Sequence, residues 1–552
     1  MSGNRFDVCV SYKKLLLFIL LMFVVHTSIA GSGDFMFTID TRLSASDEAF
    51  TIPTYGMNYK YDVDCDDDGI FEAINQLTAY TCDYSVNGGG EKTIVIRGTT
   101  GDGSGFPRIR VNEFNEAVEI IKLSNWGDFV WDTMDRAFSG AVNMVVTATD
   151  VPDLSQVSST ALMFSGANLA NPDTSGWNTE QVTNMRYMFF AARGANPDTS
   201  GWNTSQVTDM QGMFDLALIA NPDTSGWNTG QVTDMSLMFV GAESANPNTS
   251  GWNTANVTDM SAMFNGADVA RPDTSGWDTG QVVDMGFMFF GALIADPDTS
   301  GWNTSHVTDM NGMFGATLAA DPDVSGFDTS AVTDMSRMFF NADLANPDTS
   351  DWDTSEVTDM GFMFLNATAA NPDTESWDIT NVITMERMFE GVTLPTADYD
   401  EILSNFSSQP VQQGVLFHGG NSQYCNEDDR EILTNPSIGN WEITDGGLSS
   451  SCGDVIFKNS FDVPVVIFAA SKRSFEYDFE SLETVGLDDF PVLIGIGLNH
   501  DNQAIINFHV RIINDQLQIR VSELDQQAFE PYTWIDHQWQ DFDSQGLIDV
   551  TW

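Results

Sequence analysis

Positive charge is what this chain has least of: 22 lysines and arginines stand against 79 aspartates and glutamates, a formal net charge of −57. A polyanion would be repelled along its whole length, which excludes nucleic acid as a partner. Histidine is also scarce. Beyond residue 30 there are only His306, His418, His500, His509 and His537, scattered over different segments. No HExxH helix, zinc spacing, nucleophile elbow or phosphate loop accompanies them, so the expectation is a non-enzymatic protein without a cofactor, Ca²⁺ excepted. Long apolar runs are missing as well. Leu15 to Val25 is too short to span a bilayer and nothing later approaches eighteen residues, so no membrane span is expected. With Lys13 and Lys14 ahead of it and Ser28 and Ala30 before Gly31, that run reads as a signal peptide over 1–30, and no lipobox surrounds Cys9. Four cysteines then remain, and Cys65 with Cys82 and Cys425 with Cys452 is the expected pairing in an oxidising compartment. The chain is expected to be secreted or displayed at the cell surface.

What is present is a repeat. Trp177, Trp202, Trp227, Trp252, Trp277, Trp302, Phe327, Trp352 and Trp377 recur every 25 residues without insertion. Such a period makes equivalent residues stack in columns, and no unit buries its apolar face alone. The unit from Ala195 reads A-N-P-D-T-S-G-W-N-T-S-Q-V-T-D-M-Q-G-M-F-D-L-A-L-I. Met210, Met213, Phe214 and Ala217 fall at i, i+3, i+4 and i+7, which predicts one face of a short helix capped by Thr208. Ala195, Pro197 and Thr199 alternate with Asn196 and Asp198, which predicts a short parallel strand. The expected fold class is therefore an α/β repeat solenoid over 113–395, one short strand and one short helix per unit, with the tryptophan column as structural core. The outward column Asp173, Asp198, Asp223, Asn248, Asp273, Asp298, Asp323, Asp348 and Asp373 has two readings, a solvated acidic face or an array of weak Ca²⁺ sites.

The string D-T-S-x-W-x-T-S-x-V-T-D-M-x-x-M-F resembles the repeat of the bacterial BspA-like leucine-rich-repeat surface proteins, the lipoprotein or DUF285 repeat family. The resemblance covers about half the chain. It departs at the strand, where leucine-rich repeats carry Leu and this chain carries Pro and Thr. It implies a surface protein that adheres to an extracellular protein or polymer, on a host or a neighbouring cell. Binding would reside where the repeats differ: Tyr187, Phe190, Phe287, Phe290, Phe340 and Phe362, on or beside the outer helix face, either anchor a partner or pack on the neighbouring helix.

The flanking segments read as β structure. Phe35, Phe37 and Ile39 alternate, as do Tyr59, Tyr61 and Val63, then Ile94 and Ile96. Y-D-V-D-C-D-D-D-G-I-F-E at 61–72, followed by T-I-V-I-R-G, resembles a polycystic-kidney-disease-type β-sandwich, assigned to 34–112. Asp64, Asp66 and Asp68 precede Gly69 as the first half of a calcium loop, but the twelfth position is Asn75, so a tight acidic turn and a Ca²⁺ site both stand. Residues 396–452 read as a terminal cap and 453–552 as a small antiparallel β domain. An alternative function follows from these ends: a carbohydrate-associated protein whose β domains bind glycan, with the solenoid as spacer.

Overall fold

The computed structural model describes residues 33–44, 48–86, 88–99, 104–111, 116–450 and 452, and beyond these the backbone of seven strands. The signal-peptide reading of 1–30 lies outside the described residues. The chain divides into two units, 1–450 and 451–552.

Alternating aromatic and aliphatic residues build the first sheet. Its strands are β1 (Phe35–Asp40), β3 (Tyr61–Asp64), β4 (Ala73–Gln76), β6 (Glu91–Gly98), β7 (Ile120–Asn125) and β8 (Val145–Val146), in the order β4-β3-β6-β1-β7-β8. A separate pair, β2 (Ala49–Thr51) and β5 (Thr81–Asp83), lies antiparallel. Phe35, Phe37 and Ile39 of β1 are fully buried, and Phe35 meets Phe106 and Trp131 at 5.9 and 5.3 Å between ring centres. The sheet does not stop at residue 112. After the one-turn helix α1 (Glu116–Glu119), β7 joins β1 antiparallel and then takes β8 in parallel, with Lys122 opposite Val145. Parallel pairing at that offset starts the repeats on the edge of the sheet, so their first apolar layer is covered rather than exposed.

The repeats themselves overturn the expected fold class. Between Val146 and Thr396 no unit holds a strand or a helix among the described residues, so the α/β solenoid of one strand and one helix per unit is corrected. Where the helix was expected the backbone forms overlapping turns: Met213 N–H donates to Met210 O, Asp215 N–H to Gly212 O, and Ala217 N–H to Phe214 O, at 3.2, 3.1 and 3.0 Å. The alternate amides leave their own unit. Met210, Gly212, Phe214 and Leu216 donate to Asp234, Ser236, Met238 and Val240 of the next unit, at 3.0, 2.8, 2.9 and 2.6 Å. A helix would use every one of these amides internally; an eleven-residue helix is marginal in water, and bonding between units satisfies the same groups while burying the Met-Phe face. The pattern needs a positive φ at every fourth residue, met by Gly212 (58°) and Leu216 (56°), and in other units by Tyr187, Leu237, Phe287, Arg337 and Phe362.

The expected strand keeps its alternation but has no ladder. Ala195, Pro197 and Thr199 are buried while Asn196 and Asp198 are exposed. Proline has no N–H to give, and side chains supply the cross-links instead. Asn221 N–H donates to Asn196 Oδ1 at 2.9 Å, and Thr199 Oγ1 donates to Asp223 O at 2.7 Å. Thr204 Oγ1 both donates to Asn228 O (3.0 Å) and accepts from Asn228 N–H (2.8 Å). Single-residue parallel bridges join unit to unit, Asp209 to Asp234 to Asp259 and onward to Thr384.

Inside, equivalent rings lie over one another. Trp227 and Trp252 are 6.3 Å apart and within 3° of parallel; Phe214 and Phe239 are 5.6 Å apart and within 6°. The nine core positions are each 1 to 5% exposed. After Phe389 this parallel stacking ends, because Phe417 meets it edge-on at 6.3 Å and 85°. The segment 396–450 covers the last unit with α2 (Thr396–Ser407), β9 (Leu416–His418), α3 (Glu427–Thr434) and β10 (Glu442–Thr444). Helix α2 buries Tyr399, Ile402, Leu403 and Phe406, and Asn405 and Gln409 donate side-chain amides to Thr374 O and Trp377 O at 2.6 and 2.8 Å. In the second unit β14 (Ile505–Ile513) and β15 (Gln516–Leu524) pair antiparallel with Ile513 opposite Gln516, alongside β13 (Val492–Leu498) and β16 (Trp534–Asp536), while β11 (Ile456–Lys458) pairs β12 (Pro464–Val466) and β17 (Gln540–Asp541) pairs β15.

Candidate functional site

The residues singled out as variable sit on the turns, not on helices. Because equivalent positions in consecutive units are bonded neighbours, the residue after the first turn forms a column Leu162, Tyr187, Gly212, Leu237, Ala262, Phe287, Gly312, Arg337, Phe362, Arg387. Bulky members lean on small ones. Tyr187 lies where a side chain on Gly212 would stand; a Cβ on Gly312 would come within 2.8 Å of Phe287, and one on Gly315 within 2.6 Å of Phe290. Across Gly315, Phe290 stacks on Phe340 at 6.1 Å, and Phe287 meets Phe290 edge-on at 5.4 Å. Tyr187 and Phe190 form the same edge-on pair at 5.5 Å, with the Arg186 guanidinium 5.1 Å over the Tyr187 ring. Phe362 is shared by Arg337 and Arg387, at 4.9 and 5.5 Å, and Arg387 is itself ion-paired to Glu390. All six aromatic residues are half-buried, so they pack on the neighbouring unit and still show an edge to solvent. Residues 137–389 contain no lysine and only five arginines, and three of the five lie on this face.

Two acidic columns also run along the repeats. In the exposed one, Asp173 Oδ1 accepts from Ser175 Oγ and N–H at 2.7 and 3.1 Å, and Asp198, Asp223, Asp298 and Asp348 repeat the arrangement. These serine bonds hold the carboxyls of Asp173, Asp223, Asp298 and Asp348 below their ordinary range. The second column, Asp209, Asp234, Asp259, Asp284, Asp309, Asp334 and Asp359, is one the sequence does not single out, because each member directly follows the position expected to cap a helix. These residues make the bridges between units and are half-buried. Burial, together with the next aspartate along, pushes Asp234, Asp284 and Asp309 upward. A third acid stands apart: Asp215 is only 8% exposed, and burial raises its carboxyl to about 6.

The acidic loop after β3 gathers Asp64, Asp66 and Asp68, with Glu72 as a fourth member that sequence spacing missed; their oxygens all lie within 4.8 Å of one another. Asn75 is not among them. Its N–H donates to Asp62 Oδ1 at 2.7 Å. Asp64 is buried and accepts from the amides of Asp66, Asp68 and Gly69 at 3.3, 3.3 and 2.9 Å, and Glu72 accepts from Cys65 N–H at 2.8 Å. Burial and mutual repulsion raise Asp66 and Glu72. Four hard oxygens at this spacing are a set that could hold a divalent cation such as Ca²⁺. Cys65 is disulfide-bonded to Cys82, and Cys425 and Cys452 are disulfide-bonded too. A shallow hollow of about 190 Å³ lies between the last repeat and α2, lined by Asn371, Asp373, Asp398 and Glu401. No described helix is long and apolar enough to cross a membrane.

Comparison with known proteins gives one match. The family described as "Mycoplasma protein of unknown function, DUF285" matches three overlapping stretches, residues 132–252, 217–325 and 290–406. No curated protein and no solved structure matches the chain. The matched stretches begin between β7 and β8 and end in α2, a span that takes in the stacked units. Over residues 132–406 this chain is a DUF285 repeat protein.

Proposed function

We propose that this chain is a non-enzymatic protein, secreted or held at the cell surface, that adheres to an extracellular partner through the turn face of its repeats. One observation carries the reading: half-exposed aromatic rings and stacked arginines share a single face of a register-locked column whose other charged groups are nearly all carboxylates. Rigid aromatic and guanidinium groups at fixed spacing bind with little loss of conformational freedom. The motif resemblance to BspA-like surface proteins, and the PKD-like motif of 61–72, support display outside the cell. The test is attachment of cells or matrix to the immobilised full chain, comparing wild type with Phe287→Ser/Phe290→Ser/Phe340→Ser and with Asp198→Asn/Asp223→Asn as a charge control, each checked for an unchanged melting profile. Loss in the first variant alone supports the reading, and equal attachment by all three chains contradicts it.

A further inference from the structure

One side chain of the turn face has no task in holding its own unit together. After the Met-Phe pairs the chain carries Ser165, Phe190, Asp215, Val240, Asn265, Phe290, Gly315, Phe340, Leu365 and Glu390; of the two carboxylates, Glu390 is ion-paired to Arg387 and Asp215 is not paired. Asp215 is 8% exposed, its carboxylate oxygens reach solvent, and among the described residues its side chain makes no hydrogen bond and no ion pair. The exposed aspartates cap turns and the bridging aspartates join units; Asp215 does neither. Its neighbours are set by the backbone, since Ala191 N–H donates to Asp215 O at 2.7 Å and Leu216 N–H to Val240 O at 2.6 Å. Phe190 and Val240 therefore flank it, and Tyr187, edge-on to Phe190, covers Gly212 in the same unit.

We propose that Tyr187, Phe190 and Asp215 form a binding site for an alkylammonium group, presented as a lysine side chain by a basic protein partner. The inference rests on the turn face being the binding surface. A largely buried carboxylate that reaches water only at its oxygens is poorly hydrated in the free protein and is relieved by an arriving cation rather than by a neutral group. The rings add attraction for an ammonium, and Arg186, over Tyr187 at 5.1 Å, shows that this ring takes a cation in its present setting. The net charge of −57 concentrates cations around the whole chain and steers a basic partner toward it.

Ligand-observed NMR on the full chain at fixed ionic strength tests this, with Nα-acetyl-lysine methylamide, the uncharged Nα-acetyl-norleucine methylamide and tetramethylammonium as probes. Wild type should bind the lysine amide roughly tenfold or more tightly than the norleucine amide. Asp215→Asn should lose that preference and Asp198→Asn should keep it. Asparagine matches the shape and removes a buried charge, so the variant is expected to fold, and a thermal melt verifies it. Equal weakening in both variants would reduce the effect to the general acidic field and overturn the site. Equal binding of the norleucine amide would overturn it too, and binding of tetramethylammonium alone would overturn the lysine source in favour of a quaternary headgroup. If no probe binds while the Phe287/Phe290/Phe340 variant still loses attachment, the site falls and the adhesive face stands.

Discussion

Asp215 and Gly315 hold the same place in two repeat units, yet the demands on them are opposite. Asp215 must tolerate burial. Its folded carboxyl titrates at about 6, against an ordinary value of 3.8, so the folded state favours the protonated form. The stability this contributes is complete below about pH 4 and is lost as pH rises through 6. Asp215→Asn is therefore expected to raise the melting temperature at pH 7.5, an effect equivalent to roughly 2–3 kcal/mol locally, and to leave it unchanged at pH 4. Melts at the two pH values decide it, and equal shifts at both would mean the carboxyl is not buried. Gly315 must stay small, because Phe290 crosses it to reach Phe340. Gly315→Ala should cost about 1–3 kcal/mol, whereas Gly251→Ala, which meets open space, should cost nothing measurable. Adding Phe290→Ala should relieve most of that loss; if it does not, the pairing of aromatic and glycine in neighbouring units is accidental. This pairing was legible in the sequence, where Tyr187 precedes Gly212 and Phe287 precedes Gly312 by one repeat. The isolation of Asp215 was not, because it depends on what the column leaves unpaired.

At the scale of the element, the period was readable and the element type was not. A spacing of i, i+3, i+4 and i+7 places four residues on one side of a helix, and it does the same for three overlapping turns. The deciding term is the neighbouring unit, which accepts every other amide, and a single unit's sequence cannot show it. The strand reading failed for a related reason: alternation set which side chains are buried, but Pro197 denies the ladder a donor and the threonine hydroxyls replace it. Thr229→Val measures that replacement. Thr229 Oγ1 donates to Asn253 O at 2.9 Å and accepts from Asn253 N–H at 2.8 Å, so valine removes two hydrogen bonds between units and should cost about 1–3 kcal/mol. Trp252→Ala, which opens the ring column between Trp227 and Trp277, should cost about 3–5 kcal/mol. Denaturant titration reads both, and a Thr229→Val chain as stable as wild type would show that the hydroxyl bridges are incidental.

For the molecule as a whole, the repeat period and the charge were legible in the sequence, but not how the array begins and ends. Strands β7 and β8 complete the N-terminal sheet and start the stacking together, an overlap that shows only in the pairing of the two segments. The acidity has a global consequence. Raising NaCl from 0.1 to 1 M shortens the Debye length from about 10 to about 3 Å and should raise the melting temperature steadily, as repulsion along the aspartate columns is screened. A melting temperature independent of salt would mean those columns contribute no strain.

The central claim is that the repeats are cross-bonded turns, and an experimental density map of the full chain tests it most directly. The account predicts Phe214 N–H bonded to Met238 O of the next unit, near the 2.9 Å found here, with a positive φ at Leu216. Phe214 N–H bonded to Met210 O within a continuous helix from Thr208 to Ala217 would contradict it.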